Sequence, residues 1–175
     1  MAFTLNYNNV NDLIPEGSYE VLITTACEEA DKQGRTRLNF ALVVRNDVDQ
    51  PAQNRTVFHS MYKVREPDDD DRMTENYKFS ALMRIAKSAG LPEDKPYQSV
   101  AQMIADTVNR AVRIEIAHET YEGKKSARIK YWNETDYPQI EHRMNAKAQS
   151  YTPQQSGRVT ASALNHPSAS ALPWN

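Results

Sequence analysis

An all-β domain with a helical insert is the fold class this sequence predicts, and three observations predict it. The first is order. Residues 17–26, 35–45 and 54–65 read as strands, 74–89 reads as a helix, and 110–118 and 125–132 read as strands again. That strand–strand–strand–helix–strand–strand order is the one found in the OB-fold. This small, partly open five-stranded barrel binds oligonucleotides on strands 2 and 3 and on the loops joining strands 1–2 and 4–5. The second is period. Leu38, Phe40, Leu42 and Val44 alternate with Arg35, Arg37, Asn39 and Arg45, as in a strand with one buried and one exposed face. The third is charge. Residues 35–65 hold six Lys/Arg against two Asp/Glu, and 110–132 hold six against three. Residues 1–34 hold one against six and 66–109 five against nine, so a net charge of −2 conceals two basic strand blocks.

The elements follow in order. Leu13-Ile14-Pro15-Glu16-Gly17 reads as a turn launching the first strand, in which Tyr19, Val21, Ile23 and Thr25 share one face. Ala30 to Gly34 supplies the first hairpin loop, with Gly34 placed to take a positive φ. Asn46 to Asn54, containing Pro51, connects strands 2 and 3. Strand 3 is expected to put Phe58, Tyr62 and Val64 on the core side and Arg55, His59, Lys63 and Arg65 on the open side; Met61 falls among the latter, and a single β-bulge would exchange the two faces. Pro67 to Asp71 reads as an acidic loop before Thr74, the expected N-cap of a helix carrying Tyr77, Ala81, Leu82, Ile85 and Ala89, and Gly90 with Pro92 stops it. Val100, Met103, Ile104 and Val108 suggest a second, shorter helix. Strand 4 buries Val112, Ile114 and Ile116, and strand 5 alternates Ala127, Ile129 and Tyr131 with Arg128, Lys130 and Trp132. The expected division is a domain over 1–133 and a flexible C-terminal tail over 134–175, with a short helix near 137–148 and disorder after 150.

Several function classes find no support. The lone Cys27 builds neither a disulfide framework nor a zinc site and is expected to pack as a small apolar side chain. The four histidines lack ligand spacing. Asp68 to Asp71 lack the glycine and distal glutamate of a calcium loop and read as a solvated acidic loop. No nucleophile elbow, phosphate loop or dinucleotide fingerprint is present, so neither an enzyme nor a cofactor is expected. No apolar run approaches a membrane span. The opening MAFTLNYNNV is not built like a signal peptide, so a soluble intracellular protein is expected.

Single-strand binding remains. Lys and Arg along a sheet follow phosphates, and aromatic rings beside them stack bases. On strands 2 and 3 the candidates are Arg35, Arg37, Arg55, His59 and Lys63. The last hairpin adds Tyr121, Lys124, Lys125, Arg128 and Lys130, with Trp132 on the same parity as a candidate stacking platform. The alternative is a protein-interaction module that never touches DNA.

Short pieces of the chain resemble a family of phage single-stranded DNA-binding proteins, long known only as a domain of unknown function and encoded beside phage recombinases. They are Pro15-Glu16-Gly17-Ser18-Tyr19-Glu20-Val21, Lys32-Gln33-Gly34, Ser88-Ala89-Gly90-Leu91-Pro92 and Tyr121-Glu122-Gly123-Lys124, within about residues 13–132. The resemblance implies an OB-type barrel that coats single-stranded DNA without sequence preference in replication and recombination, in the cytoplasm of a bacterial host. Homo-oligomers are compatible with such a role. Single-strand binders often end in an acidic tail tipped by Pro and Phe, which docks partners. Here Leu172-Pro173-Trp174 ends a tail without the acids, and a phage recombinase or host replication protein is the partner it would dock.

Overall fold

The computed structural model describes residues 12–144. Five strands, β1 (Gly17–Ala30), β2 (Thr36–Val44), β3 (Thr56–Tyr62), β4 (Ala111–Tyr121) and β5 (Lys124–Glu134), form one antiparallel sheet in the order β3-β2-β1-β4-β5. The long β1 serves both halves of it. Its first part pairs with β4, Gly17 opposite Ile116 through Leu22 opposite Ala111, and β2 runs beside it from Val21 to Ala30. Such a strand must coil, and a β-bulge provides the bend: Ile23 faces Leu42 and Thr25 faces Ala41, leaving Thr24 extra. Thr24 donates its hydroxyl to the Ala41 carbonyl at 2.9 Å. The bulge also reverses the alternation. Tyr19, Val21 and Ile23 point into the core, whereas Thr25, expected beside them, is displaced from that face and Ala26 packs inward instead.

Two turns behave as their residues dictate. Gly34 takes φ 77° in the β1–β2 loop, where Asp31 accepts the amides of Gln33 and Arg35 at 2.8 and 2.9 Å. Glu122 and Gly123 both have positive φ, 48° and 76°, the requirement of a two-residue type I′ hairpin.

Three helices lie between β3 and β4: α1 (Asp69–Met73), α2 (Phe79–Ser88) and α3 (Val100–Ala105). The helix expected over 74–89 is α2 alone and starts five residues later, while α1 occupies the stretch expected to be an acidic loop. Asp68 caps α1 by accepting the Asp71 amide at 2.8 Å, so the acidic loop is a helical turn and Thr74 ends it rather than starting the next. Glu75 and Asn76, at φ 56° and 69°, cannot continue a right-handed helix. Asp71 is buried there, taking the Phe79 amide at 2.9 Å and Lys78 at 3.0 Å. α3, capped by Ser99, is the expected shorter helix. Tyr77, Leu82, Ile85, Ala89, Val100, Met103 and Ile104 close the core over the inward residues Leu38, Phe40, Leu42 and Val44 of β2 and Val112, Ile114 and Ile116 of β4.

After β5 the chain turns back across the start of the β2–β3 connection. Of the expected helix near 137–148, residues 137–144 are described, and they are not helical. They form a strap pinned by Arg45, which is 1% exposed. Its guanidinium grips Asp47 with two bonds, 2.9 and 2.5 Å, and donates to the carbonyls of Tyr137 and Gln139 at 2.7 and 2.6 Å. Arg45, read as part of the open basic face, is a buried clamp. That grip, with the Glu141 amide, holds the Asp47 carboxyl down to about 2. Arg45→Lys is expected to cost about 2 kcal/mol, because one ammonium cannot reproduce a forked grip and two carbonyl bonds. Urea unfolding measures the loss, and hydrogen exchange should show it concentrated at Glu141 and Arg143.

Candidate nucleic-acid interface

The outward face of β1–β2–β3 is built from three cross-strand rows. Thr25, Ala41 and Phe58 form one, Cys27, Asn39 and Ser60 the next, and Glu29, Arg37 and Tyr62 the third. Strand 3 is thus inverted relative to its expected parity. Val57, His59 and Met61 turn toward the core, while Phe58 is 63% exposed and Tyr62 40% exposed. The register decides the orientation, since Val57, His59 and Met61 stand directly opposite the inward residues Leu42, Phe40 and Leu38 of β2 and so share their face. Met61 among the supposedly open residues was the sign of it in the sequence.

Placement also changes what the basic residues of this face can do. Arg37 donates to Glu29 at 2.7 Å, and Arg35 bonds Asp31 at 2.8 Å. The Arg35 guanidinium sits 4.9 Å from the centre of the Tyr62 ring. The tyrosine hydroxyl lies between Arg37 and Asp31, at 3.5 and 3.4 Å. Bonds to Glu29 and Tyr62 raise the Arg37 pKa above its ordinary value, and the Arg35 amide is the first cause holding the Asp31 carboxyl below its own. Two cations thus face two carboxylates around one ring, and a phosphate arriving here has to displace Glu29 or Asp31. Lys63 stands over the Tyr77 ring at 5.3 Å with Glu28 at 3.9 Å. Arg55 bonds the carbonyl of Asp12. The expected phosphate track on strands 2 and 3 is largely neutralised from within.

The β4–β5 hairpin differs. Lys124, Lys125, Arg128 and Lys130 are all exposed, and none makes an ion pair within 4.0 Å among the described residues. Tyr121, 75% exposed, stands directly opposite Lys124 beside the turn. A second bulge lies in this hairpin: Glu115 faces Tyr131 and Ile116 faces Ile129, leaving Lys130 extra. Beyond it the parity flips. Trp132, expected on the open side with Arg128 and Lys130, turns inward, and Tyr131, expected with Ile129, turns outward. Trp132 packs edge-on against Phe40 at 5.8 Å and against His59 at 5.5 Å, ring centre to ring centre. β3 and β5, the two edges of the sheet, therefore meet through side chains across a seam without backbone pairing. Neither His59 nor Trp132 is free to stack a base.

Burial in that seam, with the positive charge of Arg128 adding to it, pushes His59 down to about 4. The sign follows. Between the unfolded value near 6.5 and about 4, the unfolded chain binds a proton that the folded chain refuses. His59 therefore contributes stability that is complete above pH 6.5 and is lost as pH falls toward 4. The urea midpoint of the native chain should drop across that window, and His59→Gln should flatten the drop.

Of the candidates named in the sequence, the structure brings Tyr121, Lys124, Lys125, Arg128 and Lys130 together on one hairpin. Leu172, Pro173 and Trp174 lie outside the described residues. Phe58, Tyr62 and Tyr131 join the accessible aromatic set. Among the described residues no helix is long and apolar enough to cross a membrane.

Residues 3–153 match the family described as Protein of unknown function (DUF669). The chain belongs to that family. No curated protein matches it. The match takes in all five strands of this family member as well as the strap.

Proposed function

We propose that the chain binds single-stranded DNA without base preference, coating it during phage DNA replication and recombination in the bacterial host cytoplasm. The observation that carries the reading is the β4–β5 hairpin. Four exposed cations there, without an ion pair among the described residues, stand on the same hairpin as exposed Tyr121, the pairing of phosphate neutralisers and base platforms that single-strand binders use. We read the sheet as an OB-type barrel. In support, β1 is shared by both halves, helices sit between β3 and β4, and the His59–Trp132 contact bridges the gap a barrel would close. On that reading the hairpin tip is the loop between strands 4 and 5, one of the two loops used for oligonucleotides. The mechanism is electrostatic tracking and stacking, with no chemistry.

One observation favours a second reading, a protein-interaction module serving a recombinase. The β1–β3 face has its arginines paired and presents Phe58 and Tyr62. Fluorescence anisotropy with single- and double-stranded oligonucleotides across a salt series separates the two. A single-strand binder shows log affinity falling linearly with log salt, by about −0.7 per phosphate neutralised, with duplex bound far more weakly. Absence of binding to either form overturns the first reading and leaves the second.

A further inference from the structure

A groove of about 830 Å³ runs between α2 and the last part of β5. Arg84 and Lys87 of α2 line one side of it, three positions apart and so about one turn of helix from each other. Both are exposed, and neither makes an ion pair among the described residues. Tyr131, turned outward by the bulge at Lys130 and 47% exposed, lines the other side. Arg113 is also present and is held by Asp136 at 2.5 Å; its buried Nε has no hydrogen-bond partner among the described residues. With that pair set aside, Glu134 is the one carboxylate among the described residues lining the groove with the two α2 cations.

The groove is continuous with the hairpin, because β5 forms part of both. Its eleven residues, Lys124–Glu134, span about 33 Å at roughly 3.3 Å each. Along that length the exposed groups run from Lys124, Lys125, Arg128 and Lys130 to Tyr131 and then to the α2 cations across the groove. We propose that this groove is a second subsite for the same single strand, in which Arg84 and Lys87 hold phosphates and Tyr131 stacks a base. The proposal rests on the single-strand reading of the hairpin and adds a direction to it: the strand leaves the hairpin along β5 toward α2, rather than crossing the neutralised face of β2 and β3. A peptide is the competing occupant. Fixed cations on both sides of an exposed ring suit a polyanion better than an apolar side chain.

The test uses the full chain with oligothymidylates of about 4 and about 30 nucleotides, at the lower end of and well beyond the site sizes of single OB-folds. Arg84→Gln with Lys87→Gln is expected to weaken the longer oligonucleotide about tenfold and to lower its salt slope by about 1.4, two phosphates' worth. The shorter one, which the hairpin alone can hold, should bind as before. Thermal melting should be unchanged, since both side chains are exposed. Photocrosslinking from 5-iodouracil should mark Tyr131. If the native chain binds both lengths and the double variant binds the longer one equally well, the groove is not on the path, whether a peptide fills it or nothing does. Crosslinks confined to Phe58, Tyr62 and Tyr121 overturn the proposal in the same way. If the native chain binds neither length, the hairpin reading fails first and takes the groove with it.

Discussion

Replacing Lys124, Lys125, Arg128 and Lys130 together by glutamine should weaken single-strand binding roughly a hundredfold near physiological salt. Each phosphate contact on a single strand releases about 0.7 counterion, so four lost contacts lower the log–log salt slope by about 3. Over the interval from molar to physiological salt that slope amounts to about two decades of affinity. Folding should be nearly untouched, because all four side chains are exposed and make no ion pair among the described residues. Arg35→Gln with Arg37→Gln makes the control. These two are already held by Asp31 and Glu29, so removing them should change affinity several-fold at most and leave the salt slope nearly as it was. The reverse ranking would return the binding face to β2 and β3.

The second large effect separates two aromatic residues that the sequence set side by side. Trp132→Ala should destabilise the fold by about 3–5 kcal/mol, the usual cost of emptying a large aromatic site in a core. The loss removes the ring that fills the seam against Phe40 and His59. Tyr121→Ala, at an open hairpin end, should leave stability within about 0.5 kcal/mol. It should instead lower oligonucleotide affinity by about 1–3 kcal/mol, the worth of one stacked base. Urea titration and anisotropy on the two variants give four numbers, with the large stability loss in Trp132→Ala and the large affinity loss in Tyr121→Ala. A stable Trp132→Ala protein with weakened binding would place the indole on the ligand.

Most of the architecture was legible in the sequence, because alternation over Leu38 to Val44 and over Val112 to Ile116 admits one burial pattern. The helical insert was legible as apolar spacing. Its break at Glu75 and Asn76 was not, since neither residue announces a left-handed backbone. The site was harder for one recurring reason. Parity carried along a strand is correct only until a bulge, and bulges at Thr24 and Lys130 each displaced residues from their expected face. Trp132 and Tyr131 exchanged roles through the second of these. Strand 3 runs opposite to its expected parity without a bulge, because the alternation of strand 2 does not carry through the loop from Asn46 to Asn54. Charge was misleading for a different reason: the partners of Arg35 and Arg37 come from the end of β1 and the loop after it, and a block count by segment does not see a cross-strand pair.

The double pairing of β1 also sets an order of assembly. Its partner at Ala30 is Thr36, six positions on, whereas its partner at Gly17 is Ile116, ninety-nine positions on. Closing the longer loop costs about 2.5 kcal/mol more in chain entropy, if it grows with the logarithm of loop length. The three-strand meander and the β4–β5 hairpin are local and are expected to form first, with the docking of β4 onto the start of β1 as the expected late step. During synthesis, Gly17 to Leu22 is therefore an unpaired strand edge until the chain beyond Ile116 has emerged. That edge is where a nascent copy is open to pairing with another, and where a chaperone has most to cover.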